Sequence, residues 1–208
     1  MNIPNHLKKV KDVNWTKEQL EQFELDCKAE WETGSVLGPV HLSKGNEEQL
    51  IEIFQYVHPD DYVYSTWRNH YHALLHGIDK DWLMDEIKRG RSMKIINKKH
   101  NFIISAIVGG IIPQALGTAL QLKRSGSKRK VWCFVGDMGF ETGEFHLCHK
   151  YAKNFDLPLQ LVVEDNNLST NTPTDETWGK KQNIPDNVIH YEYERGFPHH
   201  GSGSWVLF

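Results

Sequence analysis

Between residues 130 and 174 an apolar run, a helical period and a second apolar run follow one another, and few folds accept that order. Val131-Trp132-Cys133-Phe134-Val135 is continuously apolar, as a strand buried on both faces requires. Phe145, Cys148, Tyr151 and Ala152 then recur at helical spacing, and Asp156-Leu157-Pro158 ends that helix. Residues 159–163, apolar apart from Gln160, read as another buried strand. Strand, helix and strand of these lengths make a parallel βαβ unit. The fold class expected is α/β, a parallel sheet flanked by helices.

The remaining chain is read around that unit. Thr16 and Gln19 form a capping-box pattern ahead of Leu20, Phe23, Cys27 and Trp31, which recur at helical spacing. A second helix is expected over 46–57, stopped at His58-Pro59-Asp60-Asp61, and a third after Asp79. The basic stretch 91–101 shows no clear period and reads as a mobile loop. Pro113 suits the first position of a helix through Leu122, and Ser125-Gly126-Ser127 ends it. The tail, 187–208, leaves room for one strand before a Gly/Ser/His-rich end. We expect one domain over 1–208: a helical segment (1–60), a binding core (61–174) and a short tail (175–208).

Composition narrows function more by exclusion. A net charge of -3 offers no bulk basic field for nucleic acid or an anionic membrane. The longest apolar run, 102–112, is too short to span a bilayer, and the first ten residues lack the apolar core of a signal peptide. The three cysteines, Cys27, Cys133 and Cys148, form no C-x-x-C pair. That fits a reducing, cytoplasmic setting rather than a disulfide framework or structural zinc.

The chemistry gathers where the buried strands end. The first runs into Gly136-Asp137-Met138-Gly139, the second into Glu164-Asp165-Asn166-Asn167. Ligands of parallel sheets bind at strand carboxyl ends, so Asp137 and Asn166 are expected side by side. An Asp carboxylate, an Asn amide oxygen and the Leu168 carbonyl suit magnesium or calcium bridged to phosphates. An amide in place of a second carboxylate avoids repelling the diphosphate. Gly136 and Gly139 let backbone approach the phosphates, and a helix from about Glu141 is expected to point amide hydrogens at them.

Gly136-Asp137, Gly143-Glu144, His146, Leu157-Pro158 and Glu164-Asp165-Asn166 together resemble the signature of thiamin-diphosphate enzymes. The closer resemblance is to the alpha subunit of 2-oxo acid dehydrogenase E1 components. It extends to Thr172-Pro173-Thr174, and upstream to Trp67-Arg68-Asn69-His70, Ala73, Gly77, Ile107-Val108-Gly109 and Ile112-Pro113. It implies thiamin diphosphate with Mg2+ or Ca2+. Arg68 would contact the diphosphate, Trp67 and Met138 would line it, Val108 would lie against the thiamin rings, and His70 and His199 would be catalytic. Tyr193-Glu194-Arg195 with His199 is similar to a family segment that carries an active-site histidine, with His200 as the competing match.

There are departures. Met138 stands where the family has glycine, and would be strained if the position needs positive φ. Asp165 replaces an asparagine, Lys94 a histidine and Trp67 a tyrosine, and the chain is shorter than most such subunits.

In that family the activating glutamate belongs to a beta chain. The resemblance therefore implies half an active site, completed by a beta-like pyrimidine-domain subunit in a heterotetramer, or at least a homodimer. The reaction implied is 2-oxo acid decarboxylation with acyl transfer. A transketolase-like carbon–carbon reaction on a sugar-like substrate and a degenerate, non-catalytic partner remain alternatives. The stretch 102–120, with Gly109, Gly110 and Gly117, is the expected partner contact.

Overall fold

A computed structural model describes residues 1–201; the end of the Gly/Ser/His-rich tail, 202–208, lies outside the described residues. Six strands form one mostly parallel sheet in the order β2-β3-β1-β4-β5-β8. They are β1 (Tyr62–Ser65), β2 (Ile96–Asn97), β3 (Phe102–Ile104), β4 (Val131–Gly136), β5 (Leu159–Asp165) and β8 (Ile189–Glu192). Only β2 pairs antiparallel, at the edge. Two-residue strands β6 (Leu168–Ser169) and β7 (Thr172–Pro173) make a separate hairpin.

The βαβ unit is present. β4 and β5 pair in parallel from Val131↔Leu159 to Gly136↔Glu164. The connecting helix, α7 (Gly143–Asn154), packs beside α5 (Ile111–Arg124) on one face of the sheet. Alternation along β4 explains the unbroken apolar run. Val131, Cys133 and Val135 face that helical layer. Trp132 and Phe134 face the opposite one, built from α1 (Lys17–Glu32), α2 (Glu47–Phe54), α3 (His70–Leu75) and α4 (Lys80–Lys88). The strand's side chains alternate between two cores, so both faces must be apolar.

Local signals account for most helix ends. Thr16 and Gln19 cap α1 reciprocally, and Leu20, Phe23, Cys27 and Trp31 are buried. The Asp79 side chain accepts from the N–H groups of Asp81 and Trp82 at the start of α4. All three cysteines are buried and free. Among the described residues no helix is long and apolar enough to cross a membrane.

Several expectations are corrected. The stretch 91–101 is not an open loop: it holds β2 and a 3-10 turn, Lys98–His100, because Ile96 and Asn97 pair with the edge of β3. Helix α2 ends at Phe54 rather than Val57, and α5 begins at Ile111, two residues before Pro113. Proline is tolerated there because a first-turn N–H has no partner within the helix. Helix α3 was not foreseen. Within 102–120, Ile111, Ile112, Ala115 and Ala119 are buried in the chain's own core, while Ile107 (71% exposed) and Val108 (42%) stay on the surface. Leu116 and Leu120 are half-buried and Gly117 is exposed.

Candidate active site

From β1 the chain crosses to β3, then returns to build β4, β5 and β8 on the other side. The order therefore reverses at β1 and β4, and the carboxyl ends at such a reversal open a crevice. The residues lining it come from there. Thr66, Trp67 and Arg68 follow β1, Val108 and Gly109 follow β3, and Gly136–Gly139 follow β4. Glu164, Asn166 and Leu168 come from the end of β5 and just beyond, and Tyr193, Arg195 and His199 from beyond β8.

Asp137 opens a short helix, α6 (Asp137–Phe140), directly after β4. The turn is helical where a separate loop and a later helix start were expected. Met138 lies within α6 and is not among the residues with positive φ, so the anticipated strain is absent. Its sulfur instead accepts from Trp178 Nε1 at 2.8 Å. Asp137 Oδ2 accepts from the Thr174 hydroxyl. Burial raises the Asp137 carboxyl above the usual range, and the Thr174 bond opposes that rise.

Asn166 sits one strand away. Its Oδ1 accepts from Leu168 N at 3.0 Å, and its Nδ2 donates to the Tyr193 hydroxyl at 3.1 Å. An amide oxygen has two lone pairs, so Oδ1 keeps one acceptor site. The loop is held in an uncommon shape: Asn167 has φ 54° and Thr170 φ 60°. Left-handed backbone is costly for a β-branched residue and tends to be kept at functional sites. Arg195 holds it by donating to the Thr170 carbonyl at 2.8 Å.

The Asp165 departure is internally compensated. Burial would raise its carboxyl, but bonds from His190, Lys181 and the Asn167 N–H hold it at about 2. Asp165 therefore stays charged and turned toward Lys181, whose ammonium lies 2.8 Å away.

Arg68 reaches the crevice with two donors already used. Nη1 bonds the Leu42 carbonyl at 2.6 Å and Nη2 the His199 carbonyl at 2.9 Å. Burial lowers it to about 10, which leaves it charged at neutral pH. A guanidinium carries five N–H donors, so others remain for an anion. His199 is pushed down to about 4 by burial and then by the Arg68 charge, so its ring is neutral at pH 7.

Not every expected residue is there. His70 is fully buried and absent from the crevice lining. Its Nδ1 meets the Glu24 carboxylate at 3.0 Å and its Nε2 meets Ser92 Oγ at 2.9 Å. It ties α3 to α1 and lies apart from the residues that line the crevice. Behind the lining, His41 is buried with its ring 4.6 Å from His199 and 6.0 Å from Trp67. It arrives through a bridge between His41 and Gly201, a pairing no local pattern signals. Glu164 closes the end of β5 at the crevice. Its Oε1 accepts from Asn46 at 3.2 Å and from the Tyr191 hydroxyl, and meets His72 Nε2 at 3.2 Å.

A doubly wound α/β domain with a polar crevice at its strand reversal is the class this geometry defines. The Dehydrogenase E1 component family model matches residues 16–185. The alpha subunit of the pyruvate dehydrogenase E1 component of Porphyra purpurea is 33% identical over 181 residues, 74% of this chain and 53% of that protein. The alpha subunit of acetoin:2,6-dichlorophenolindophenol oxidoreductase of Bacillus subtilis (strain 168) is 33% identical over 150 residues, 67% of this chain and 45% of that protein. The chain belongs to the dehydrogenase E1 component family. It spans about half the length of the curated relatives it matches.

Proposed function

We propose that this chain is the diphosphate- and metal-binding half of a thiamin-diphosphate-dependent enzyme that decarboxylates a 2-oxo acid and passes on the acyl unit. The observation that carries the reading is the pairing of Asp137 and Asn166 after adjacent parallel strands in a crevice that also holds Arg68 and Arg195. The donor set fits the group: one carboxylate oxygen of Asp137, one amide oxygen of Asn166 and the Leu168 carbonyl are hard oxygens for magnesium or calcium. Arg68 offers its remaining donors to the diphosphate, while Gly136 and Gly139 keep side chains off its path. Trp67, Met138 and Val108 supply apolar wall. When bound, thiamin diphosphate supplies the carbanion chemistry, and the protein orients it.

The neutral His199 ring acts as a hydrogen-bonding group at the crevice, with His200 the adjacent alternative. Two arginines near it favour an anionic substrate such as a 2-oxo acid. A beta-like chain is the partner this reading requires, because the crevice supplies no glutamate beyond Glu164, whose Oε1 is engaged with the chain's own groups. An apolar stripe on α7 supports a partner: Leu147 is 69% exposed and Phe155 53%, with Tyr151 between them.

Titration calorimetry with thiamin diphosphate and magnesium tests the reading. Asp137→Ala is expected to abolish the metal-dependent part of binding. Equal affinity in wild type and variant would remove the metal assignment.

A further inference from the structure

We propose that the amino-terminal edge of the sheet, opposite the crevice, is a docking face for an acidic polypeptide segment of a second protein. The topology gathers cations there. Strands β1, β3 and β4 run parallel and begin at Tyr62, Phe102 and Val131. The residues just before β3 include Lys98 and Lys99, and those before β4 are Lys128, Arg129 and Lys130. Arg124 ends α5 on its return to the same edge. Neighbouring strands are about 4.8 Å apart, so both basic segments flank the start of β1 within about 10 Å.

Among the described residues these cations form no ion pair, although the Asp60 carboxylate stands beside Lys128 and Arg129. Among the described residues, the Lys and Arg side chains in ion pairs lie elsewhere, such as Lys17 with Glu48, Lys88 with Glu30 and Lys181 with Asp165. None of the six cations named on the edge forms an ion pair. The Asp61 carboxylate beneath them is spent on the chain itself, accepting from Lys130 N at 2.7 Å and Trp132 Nε1 at 3.0 Å. A net charge of -3 for the whole chain makes the segregation sharper. Such a one-sign field steers and orients an oppositely charged partner.

The surroundings select a polypeptide. A groove beside the patch is lined by Val10, Tyr56, His58, Asp60 and Lys128 to Lys130. Val10 is 49% exposed and offers an apolar contact. The Tyr62 ring is covered by the Arg129 guanidinium at 5.3 Å, so it is no stacking platform for bases. The inference is independent of the reaction assigned to the crevice.

The test is fluorescence anisotropy with the full chain and a labelled Glu-rich peptide carrying one leucine, in about 150 mM salt, where exposed charges more than about 8 Å apart are largely screened. Lys99→Glu with Lys128→Glu is expected to weaken binding at least about tenfold, while the equal charge change Lys17→Glu with Lys28→Glu stays within about twofold. Both pairs are expected to keep the wild-type circular dichroism and thiamin diphosphate binding, which separates this face from the crevice. Equal loss in both pairs, no peptide binding by wild type, or tighter binding of a single-stranded oligonucleotide or an anionic vesicle would overturn the proposal.

Discussion

The Thr174 hydroxyl donates to the Asp137 carboxylate across the gap between α8 (Thr174–Trp178) and the end of β4. Both residues are buried, so the bond acts in a medium that favours the neutral acid. It therefore works to keep Asp137 ionised, the state a cation needs.

Thr174→Val removes that donor at nearly constant volume. Asp137 is then expected to rise further, and magnesium-dependent cofactor affinity to fall by about tenfold, from about 1.5–3 kcal/mol for a hydrogen bond to a charged group. The loss is expected to be larger at pH 6 than at pH 8, because protonation competes with metal at the lower pH. Calorimetry at the two pH values checks it; a pH-independent loss would mean that Thr174 acts only through packing.

Arg68 links two carbonyls 157 positions apart, Leu42 and His199, and so joins the tail to the crevice. Arg68→Lys keeps the charge but cannot span both acceptors. Cofactor affinity is expected to fall about tenfold in Arg68→Ala and less in Arg68→Lys, on the scale of charge-assisted bonds. Limited proteolysis near residue 199 is expected to speed up in both variants. Unchanged proteolysis would show that the bridge bond at Gly201 suffices to hold the tail.

His76 gives a pH signature away from the crevice. Burial, with the Lys11 charge second, holds its ring at about 4, and Nδ1 has no hydrogen-bond partner. An unfolded histidine titrates near 6.5. Between about 6.5 and 4 the unfolded chain binds a proton that the folded chain does not, so stability falls as pH falls through that window. In His76→Gln this slope is expected to shrink. Urea unfolding at pH 7 and pH 5 measures it, and an equal loss in both proteins would leave the acid sensitivity to other groups.

How much was legible follows the range of each interaction. The βαβ unit was readable because β4 and β5 alternate between two cores, and Gln160 near the start of β5 is the one polar side chain either strand buries before its end at the crevice. Asp137 and Asn166 were readable because parallel pairing forces their two strand ends together. The place of His70 off the crevice lining was not legible, because an arginine-containing motif says nothing of Glu24, 46 positions earlier, which holds its ring. His41 and Lys181 were invisible for the same reason: their partners His199 and Asp165 meet them only after the chain has folded. Edge strand β2 was missed because two residues carry no period.

Association with a partner gives the most exposed prediction. Along α7, Leu147, Tyr151 and Phe155 recur every four residues on the solvent side, and the Tyr151 and Phe155 rings lie 4.5 Å apart. Buried Phe145, Cys148 and Ala152 occupy the inward face, so the outer stripe is not needed for the chain's own core. Burying each large side chain at an interface is worth about 1.5–3 kcal/mol. Leu147→Asp with Phe155→Asp is thus expected to weaken assembly by at least about a hundredfold while leaving the circular dichroism spectrum unchanged. Alone, the wild-type chain is expected to bind thiamin diphosphate weakly and to show no 2-oxo acid turnover. With a beta-like chain, binding tightens and turnover appears, and the double variant fails to gain either. Analytical ultracentrifugation paired with a decarboxylation assay reads both outcomes. A monomer that turns over a 2-oxo acid unaided would sink the half-site reading, whereas a double variant that still assembles would only move the interface to another face.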